Sequence, residues 1–434
     1  MRHTRTLLLA ASTFALAACG NNANLPKSAS WGPKPELPAP QQSLVPVNHT
    51  AKIEPWKDGE MPTPAEGLRV TKFAANFDHP RWIYVLPNGD VLVAESNKGT
   101  SWADTMGYGG WVESLYRRIG GLSTKSANRI TLLRDKDGDG VADERTTFLS
   151  GLNAPIGMAL VGDTFYVADT DALLAFPYKT GETQITEPGR KITDLPAGPI
   201  DHHWTKNVIA SPDGSKLYVT VGSNSNAGEN GLDQEHERAA IWEVDPKTGK
   251  HRVFASGIRN PNGLGWSPGG VLWTAVNERD EIGGDLVPDY LTSVKDGAFY
   301  GWPWSYYGQH VDDRVNPANP DMVAKAIPPD YALGTHTASL GLAFSQGAKL
   351  GPAFASGVFI GQHGSWNRKP VNGYDVVFVP FAGETPSGAP VGVLNFLGPN
   401  DVAHGRPVGV AIDKAGGLLV ADDTANIIWR VSKQ

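Results

Sequence analysis

Six times along this 434-residue chain a Pro or Gly lead-in, a short apolar strand, a Gly-containing turn and a second apolar strand recur. The copies read HPRWIYVLPNGDVLVAES from His79, APIGMALVGDTFYVADT from Ala154, NVIASPDGSKLYVTVGSN from Asn207, NPNGLGWSPGGVLWTAVNE from Asn260, SLGLAFSQGAKLGPAFASGVFIGQHGS from Ser339 and RPVGVAIDKAGGLLVADDT from Arg406. Strand pairs repeating at roughly 40 to 80 residues mark a β-propeller, each copy being one blade of an antiparallel sheet. The expected fold is therefore all-β, a six-bladed β-propeller. Equivalent positions of all copies must then meet around one axis.

A chain of this length would otherwise suggest two or three domains, but a propeller takes it up in one ring. The 50 Gly and 33 Pro fit a turn-dense all-β protein. A net charge of −7 and the lack of any Lys/Arg-rich run speak against nucleic acid as a partner.

Three stretches divide the chain. Residues 1–18 read as a signal peptide: a basic start, then an apolar and small-residue run too short to span a bilayer, ending in Leu16-Ala17-Ala18-Cys19. Leu-Ala-Ala-Cys resembles a bacterial lipobox, which implies lipidation of Cys19, with Gly20 after it favouring the outer membrane over the inner. The expected location is the periplasmic side of a bacterial membrane, with membrane contact only through the lipid. Cys19 is the single cysteine, so no disulfide can brace the fold. Residues 19–64, rich in Pro, Asn, Ser and Lys, read as a lipidated N-terminus and flexible tether, and 65–434 as the propeller domain.

Alternation of apolar residues begins near Gly67 and ends at Trp429-Arg430-Val431. The first strand should therefore join the blade that holds Arg406 to Val431, hiding two sheet edges. Two segments interrupt the repeat: Thr100 to Asn128, with a short helix expected around Val112 to Ile119, and Gly283 to Tyr307. Insertions of this kind sit in surface loops and often border a site.

Residues just before the first strand of a copy and just after the second lie on one face of the ring. The leading positions supply Arg81, His202, His203, Lys206, Arg259, Asn260, His336 and Arg406; the trailing ones supply Glu95, Asp169, Asn224, Asn277, Glu278, Arg279, Gln362, His363, Arg368 and Asp422. Several arginines around one axis repel one another unless an anion or carboxylates neutralise them, so an anionic ligand is implied. A His near Arg keeps its neutral form, the state a general base needs. The same side chains could instead cap strands and pair between blades.

Asp135, Asp137, Asp139 and Asp143 are spaced as in an EF-hand-like calcium loop with Gly140 at its sixth position, but Thr146 stands where the bidentate Glu belongs. A calcium turn and a metal-free acidic hairpin both fit that spacing. No His-Glu-x-x-His, Cys-based zinc pattern, Gly-x-Gly-x-x-Gly or Gly-x-Ser-x-Gly occurs where it would signal chemistry.

Asp201-His202-His203-Trp204 before VIASPDG, Gly257 to Leu264 with Arg259-Asn260-Pro261, Tyr300-Gly301-Trp302-Pro303 and His363-Gly364-Ser365-Trp366-Asn367-Arg368 resemble the glucose/sorbosone dehydrogenase family, and within it the L-sorbosone dehydrogenase branch. The resemblance runs from about Gly67 to the C-terminus. It implies a six-bladed propeller that binds pyrroloquinoline quinone (PQQ) with calcium and oxidises an aldose or sugar aldehyde, passing electrons to an unidentified acceptor. It further implies that His203 is the catalytic base and that Arg259 stabilises charge on the quinone oxygen. Asn260 would contact the cofactor, Arg406 would bind its carboxylate, and Arg368 would add a basic contact. Asn277 takes the place of a glutamine, and the backbone carbonyls of Glu278 and Arg279 would hold calcium. Arg81 and Lys206, read from the leading positions, complete the expected cofactor set. The chain departs from the glucose-oxidising members at His202, where they carry an acid, and at Val408, where they carry a second arginine. Two other functions fit a propeller: a metal-dependent lactonase using Glu95, Asn224 and Asp422, and a lipid-tethered binding module with no cofactor.

Overall fold

The computed structural model describes residues 22–42, 49–98 and 125–434. Six four-stranded antiparallel sheets follow in chain order, and each begins at the axis. Blade 1 is Pro80–Val85, Val91–Glu95, Arg129–Arg134 and Glu144–Ser150; blade 2 is Gly157–Val161, Thr164–Ala168, Ala172–Pro177 and Arg190–Asp194. Blade 3 is Val208–Ala210, Leu217–Val221, Ala240–Val244 and His251–Ser256; blade 4 is Pro261–Trp266, Leu272–Val276, Pro288–Ser293 and Tyr331–Thr335. Blade 5 is Ser339–Phe344, Gly357–Gln362, Asp375–Ala382 and Val391–Asn395. Blade 6 is Pro407–Ile412, Leu418–Asp422, Ile427–Lys433 and, last, Leu68–Ala75.

The ring closes as the sequence predicts. Leu68–Ala75 pairs antiparallel with Ile427–Lys433, so both terminal strands of the propeller share blade 6. First strands of successive blades touch in order, and that of blade 6 returns to that of blade 1. A six-bladed β-propeller is the fold.

Packing explains the recurrent glycines. A Cβ on Gly157 would stand 2.1 Å from the Val208 nitrogen, one on Gly341 2.2 Å from the Val408 oxygen, and one on Gly409 2.7 Å from the Arg81 oxygen. Neighbouring first strands thus approach through glycine. Second strands lie between blades with both faces covered, so Val91–Glu95, Leu217–Val221, Leu272–Val276 and Leu418–Asp422 are buried throughout. They read as continuous apolar runs for that reason. The core is divided among the blade interfaces: Phe73, Ile83, Val93 and Leu133 pack with Leu419, Ala421 and Ile428 where blade 6 meets blade 1.

Two expectations change. Part of Gly283 to Tyr307 is no insertion, because Pro288–Ser293 is the third strand of blade 4. The stretch expected as a tether lies, over its described residues, against the ring. Trp31–Gly32 pairs with blade 4, Thr63–Pro64 with blade 5, and Lys52–Ile53 with Val402–Ala403, while Ala51 is fully buried. Short strands added to existing edges draw their hydrogen bonds from the neighbour, so they carry no apolar period of their own. Cys19 and the helix expected around Val112 to Ile119 lie outside the described residues.

Candidate active site

The leading and trailing segments of each blade meet at one mouth. The amide of Asp78 donates to Glu95, that of Asn153 to Asp169, that of His202 to Asn224 Oδ1, and that of Arg406 to Asp422. The turns into the first strands use left-handed backbone at His79 (φ 61°), Ala154 (47°), Asp201 (35°) and His336 (54°). Non-glycine residues held there cluster at functional sites.

These amide contacts settle the role of four trailing side chains. Glu95 also accepts from Arg129 and Thr131, and Asp422 from the indoles of Trp56 and Trp429. Glu95, Asn224 and Asp422 are therefore blade caps, which removes the lactonase metal set. Among the described residues, the carboxylates able to share an ion are Asp135, Asp137 and Asp143, with ligand atoms within 4.8 Å of one another, in the turn between the third and fourth strands of blade 1. Asp139 is turned away, accepting from the Val141 amide.

His203 sits half-buried before the first strand of blade 3. Its Nδ1 lies 2.9 Å from both the Ser223 carbonyl and the Ser223 hydroxyl. The hydroxyl donates onward to the Ser225 carbonyl at 2.6 Å, so toward His203 it accepts. Nδ1 must carry the ring proton, and Nε2 keeps a lone pair. Burial, then the charges of Arg259 and His202, hold this imidazole neutral, well below the usual histidine range. His202 meets it edge-on at 4.6 Å. Gly222 allows His203 and Asn260 to meet: a Cβ there would stand 2.5 Å from His203 Cβ and 2.7 Å from Asn260 Oδ1.

Arg259, 2% exposed, reaches across two loops. Nε donates to the Asn226 carbonyl (3.1 Å), Nη2 to Asn226 Oδ1 (2.9 Å), and Nη1 to the carbonyls of Asn277 (3.3 Å) and Glu278 (2.7 Å). Asp280 lies 3.8 Å from Nη2 and is itself gripped by His336, whose Nδ1 donates to it at 2.8 Å while Nε2 donates to the Gly283 carbonyl at 2.9 Å. Burial opposes charging of His336, and the Asp280 bond overrides it, raising the ring above its ordinary value. Asp280 is held down to about 2, its burial outweighed by His336, Arg259 and Asn367.

A second cluster faces it from blades 1, 5 and 6. Asp423 Oδ2 accepts from Arg81 at 2.5 Å and from His363 Nε2 at 2.8 Å, with His79 Nε2 at 3.4 Å. Burial lowers His79 to about 4 and His363 to about 3, so both are neutral and Asp423 answers Arg81. Arg81 stacks toward Trp204 (5.8 Å), beside His203. Arg406, fully buried, donates to the carbonyls of His363 and Gly364 and lies 5.6 Å from the Trp366 ring.

Three charged side chains expected at the mouth turn to the wall instead. Lys206 Nζ points back to the carbonyls of His203 (3.4 Å) and Trp204 (3.2 Å) and to Asp201 (3.8 Å), and burial lowers it to about 8. It holds the loop that carries His203. Arg368 binds Thr335, the Pro370 carbonyl and Asp285, beneath residues 24 and 25. Arg279 is a buried bridge from Glu278 to Asp312 and to the carbonyls of Pro303 and Ser305. A charged residue type at the mouth does not reveal whether its head faces the axis or the wall. Asn226, Asp280, Ser223, His79 and Asp423 were not singled out from sequence; the run Gly222-Ser223-Asn224-Ser225-Asn226 was the available signal for two of them.

The fit to a quinone cofactor can be judged from two polar atoms. Asn260 Oδ1 and Arg406 Nη1 are closed off from water with no hydrogen-bond partner. Such atoms are costly unless something fills the place. An acceptor amide and a free guanidinium N–H match a ligand carrying both an N–H and carboxylates.

Solved structures share this ring. The chain superimposes with a TM-score of 0.68 on the holo PQQ domain of pyranose dehydrogenase from Coprinopsis cinerea, at 20% identity over 86% of this chain and 97% of that one. The calcium structure of Trichoderma reesei carbohydrate-active enzyme family AA12 gives 0.69 at 19% identity, covering 90% and 100%. The PQQ-bound aldose sugar dehydrogenase from Streptomyces coelicolor gives 0.54 at 17%, covering 85% and 100%. An uncharacterized protein of Borreliella burgdorferi is 25% identical over 299 residues, 66% of this chain and 77% of its own length. A TrAA12-like family profile matches residues 309–434, and a profile for a domain of unknown function, DUF7133, matches residues 111–365. With more than half its length so matched, the chain belongs to the DUF7133 family.

Proposed function

We propose that this propeller is a PQQ-dependent dehydrogenase that oxidises an aldose or a sugar aldehyde in its hydrated form. The observation that carries the proposal is His203: a neutral imidazole with its proton fixed on Nδ1 by Ser223, beside Arg259 and Asn260. PQQ-containing relatives of the same fold support it.

PQQ, when bound, supplies a two-electron acceptor for the substrate's hydride. His203 Nε2 takes the proton of the substrate hydroxyl, and the bonds from Nδ1 to Ser223 steady the imidazolium that results. Burial, seconded by Arg259, keeps the resting imidazole uncharged, and Arg259 offers positive charge where negative charge develops. Arg406 Nη1 would receive a cofactor carboxylate, and Asn260 Oδ1 a cofactor N–H. A calcium ion at the Glu278 and Arg279 carbonyls would use the second lone pair of the Glu278 oxygen, since Arg259 holds the first. We further propose that lipidation at Cys19 anchors the chain on the periplasmic side of a bacterial membrane.

The test is a titration of apoprotein with PQQ, with and without calcium, followed by visible absorbance, then a panel of aldoses and sugar aldehydes with a redox dye. Saturable binding and dye reduction are expected. Absence of both, in a protein whose ring is folded, rejects the proposal.

A further inference from the structure

Two of the three guanidinium nitrogens of Arg259 are held by one residue outside the family-like motifs. Asn226 Oδ1 accepts from Arg259 Nη2 and from the Asp280 amide, both at 2.9 Å, and Asn226 Nδ2 donates to the Asp280 carbonyl at 3.1 Å. Its backbone carbonyl takes Arg259 Nε at 3.1 Å and the Trp302 indole at 3.0 Å. Both amide atoms and the carbonyl are thus engaged by Arg259, the Asp280 backbone and Trp302. The amide of Asn226 is fixed in turn by Glu229 at 2.6 Å. This one residue ties together the Arg259 segment of blade 4, the loop after its second strand, and the Tyr300–Pro303 run.

We infer that Asn226 is the positioning residue for Arg259, fixing the plane of the guanidinium relative to His203 and any bound cofactor. A guanidinium has a rigid fork of donors, and a residue whose carboxamide accepts one arm while its backbone carbonyl accepts Nε leaves a single plane available. Trp302 explains the family-like Tyr-Gly-Trp-Pro element in the same terms: its indole fills the second lone pair of the Asn226 carbonyl. The bidentate grip also frees Asp280 for His336, because Arg259 does not depend on a close carboxylate.

The inference rests on the dehydrogenase proposal only for its activity arm. In Asn226→Ala, exchange of the Arg259 Nη2–H protons, which lose their acceptor Oδ1, should quicken at least tenfold when followed by nitrogen-15 NMR of arginine-labelled protein without cofactor. With PQQ and a substrate sugar, kcat should fall about 10- to 100-fold with KM within about twofold, because misplacement of a positioned group costs turnover more than substrate affinity. Asn226→Asp keeps the acceptor for Nη2 and should recover part of both losses. If Asn226→Ala does not fold, Asn226→Ser, whose hydroxyl is too short to reach Nη2, should quicken the same exchange. Unchanged Nη2–H exchange in a folded variant overturns the inference. Faster exchange in the variant, together with no turnover by the wild type, instead rejects the dehydrogenase proposal and leaves the positioning of Arg259 established.

Discussion

The Nδ1 proton of His203 is held by Ser223 twice over, through a carbonyl and a hydroxyl each 2.9 Å away. The carbonyl alone can keep the tautomer. Ser223→Ala should therefore fold normally and lose only about 3- to 10-fold in kcat, the worth of one neutral hydrogen bond. Steady-state rates of the two proteins side by side check this, and a loss as large as that of His203→Ala would show that the carbonyl contact carries nothing.

Depression of His203 below 6.5 sets the pH profile. Protonation removes the base, and a lowered pKa moves that loss to more acid solution. The acid limb of kcat/KM should have its midpoint clearly below pH 6.5, with a flat rate from there toward neutrality. A midpoint at 6.5 or higher would mean that Arg259 and burial do not act on the ring as argued.

Gly222 keeps His203 and Asn260 together because it has no Cβ. Gly222→Ala places a methyl 2.5 Å from His203 Cβ, so the His203 loop must shift. At least a 10²-fold loss of turnover is expected, with a melting temperature within a few degrees of wild type. Retained turnover would show that this close approach is dispensable.

Asp169 tests the capping role of the trailing carboxylates. Burial pushes it up to about 7, against the Asn153 amide that lowers it. The folded state then holds a proton that the unfolded state, with an ordinary value near 3.8, has released, so stability falls as pH rises from about 4 to 7. From pH 5 to 8 this group alone removes on the order of 2 kcal/mol. Asp169→Asn should flatten that slope, measured by urea unfolding at both pH values; an unchanged slope rejects the assignment.

Much of the scaffold was legible because a propeller writes its geometry locally. Each blade carries its own turn, its glycine at the first strand and its buried second strand, so Gly157, Gly341 and Gly409 mark the same contact in different copies. The meeting of leading and trailing positions followed from strand direction alone. Side-chain aim did not follow: Lys206 and Arg368 look like ligand contacts by type and position, but burial turns them to backbone carbonyls. The described residues of 22–42 and 49–64 differ from expectation for another reason, since Trp31–Gly32 and Thr63–Pro64 pair with edges offered by blades 4 and 5. Asp423 and Arg81, 342 residues apart, could be paired only once the ring was closed.

The central claim is tested most directly by reduction of bound PQQ in wild type and in His203→Ala, each loaded with cofactor and mixed with a substrate aldose or sugar aldehyde in a stopped-flow spectrophotometer. Both proteins should bind the quinone, and the variant should reduce it about 10²- to 10⁴-fold more slowly. Equal rates in the two proteins would contradict His203 as the base, and absence of quinone binding by the wild type would contradict the dehydrogenase itself.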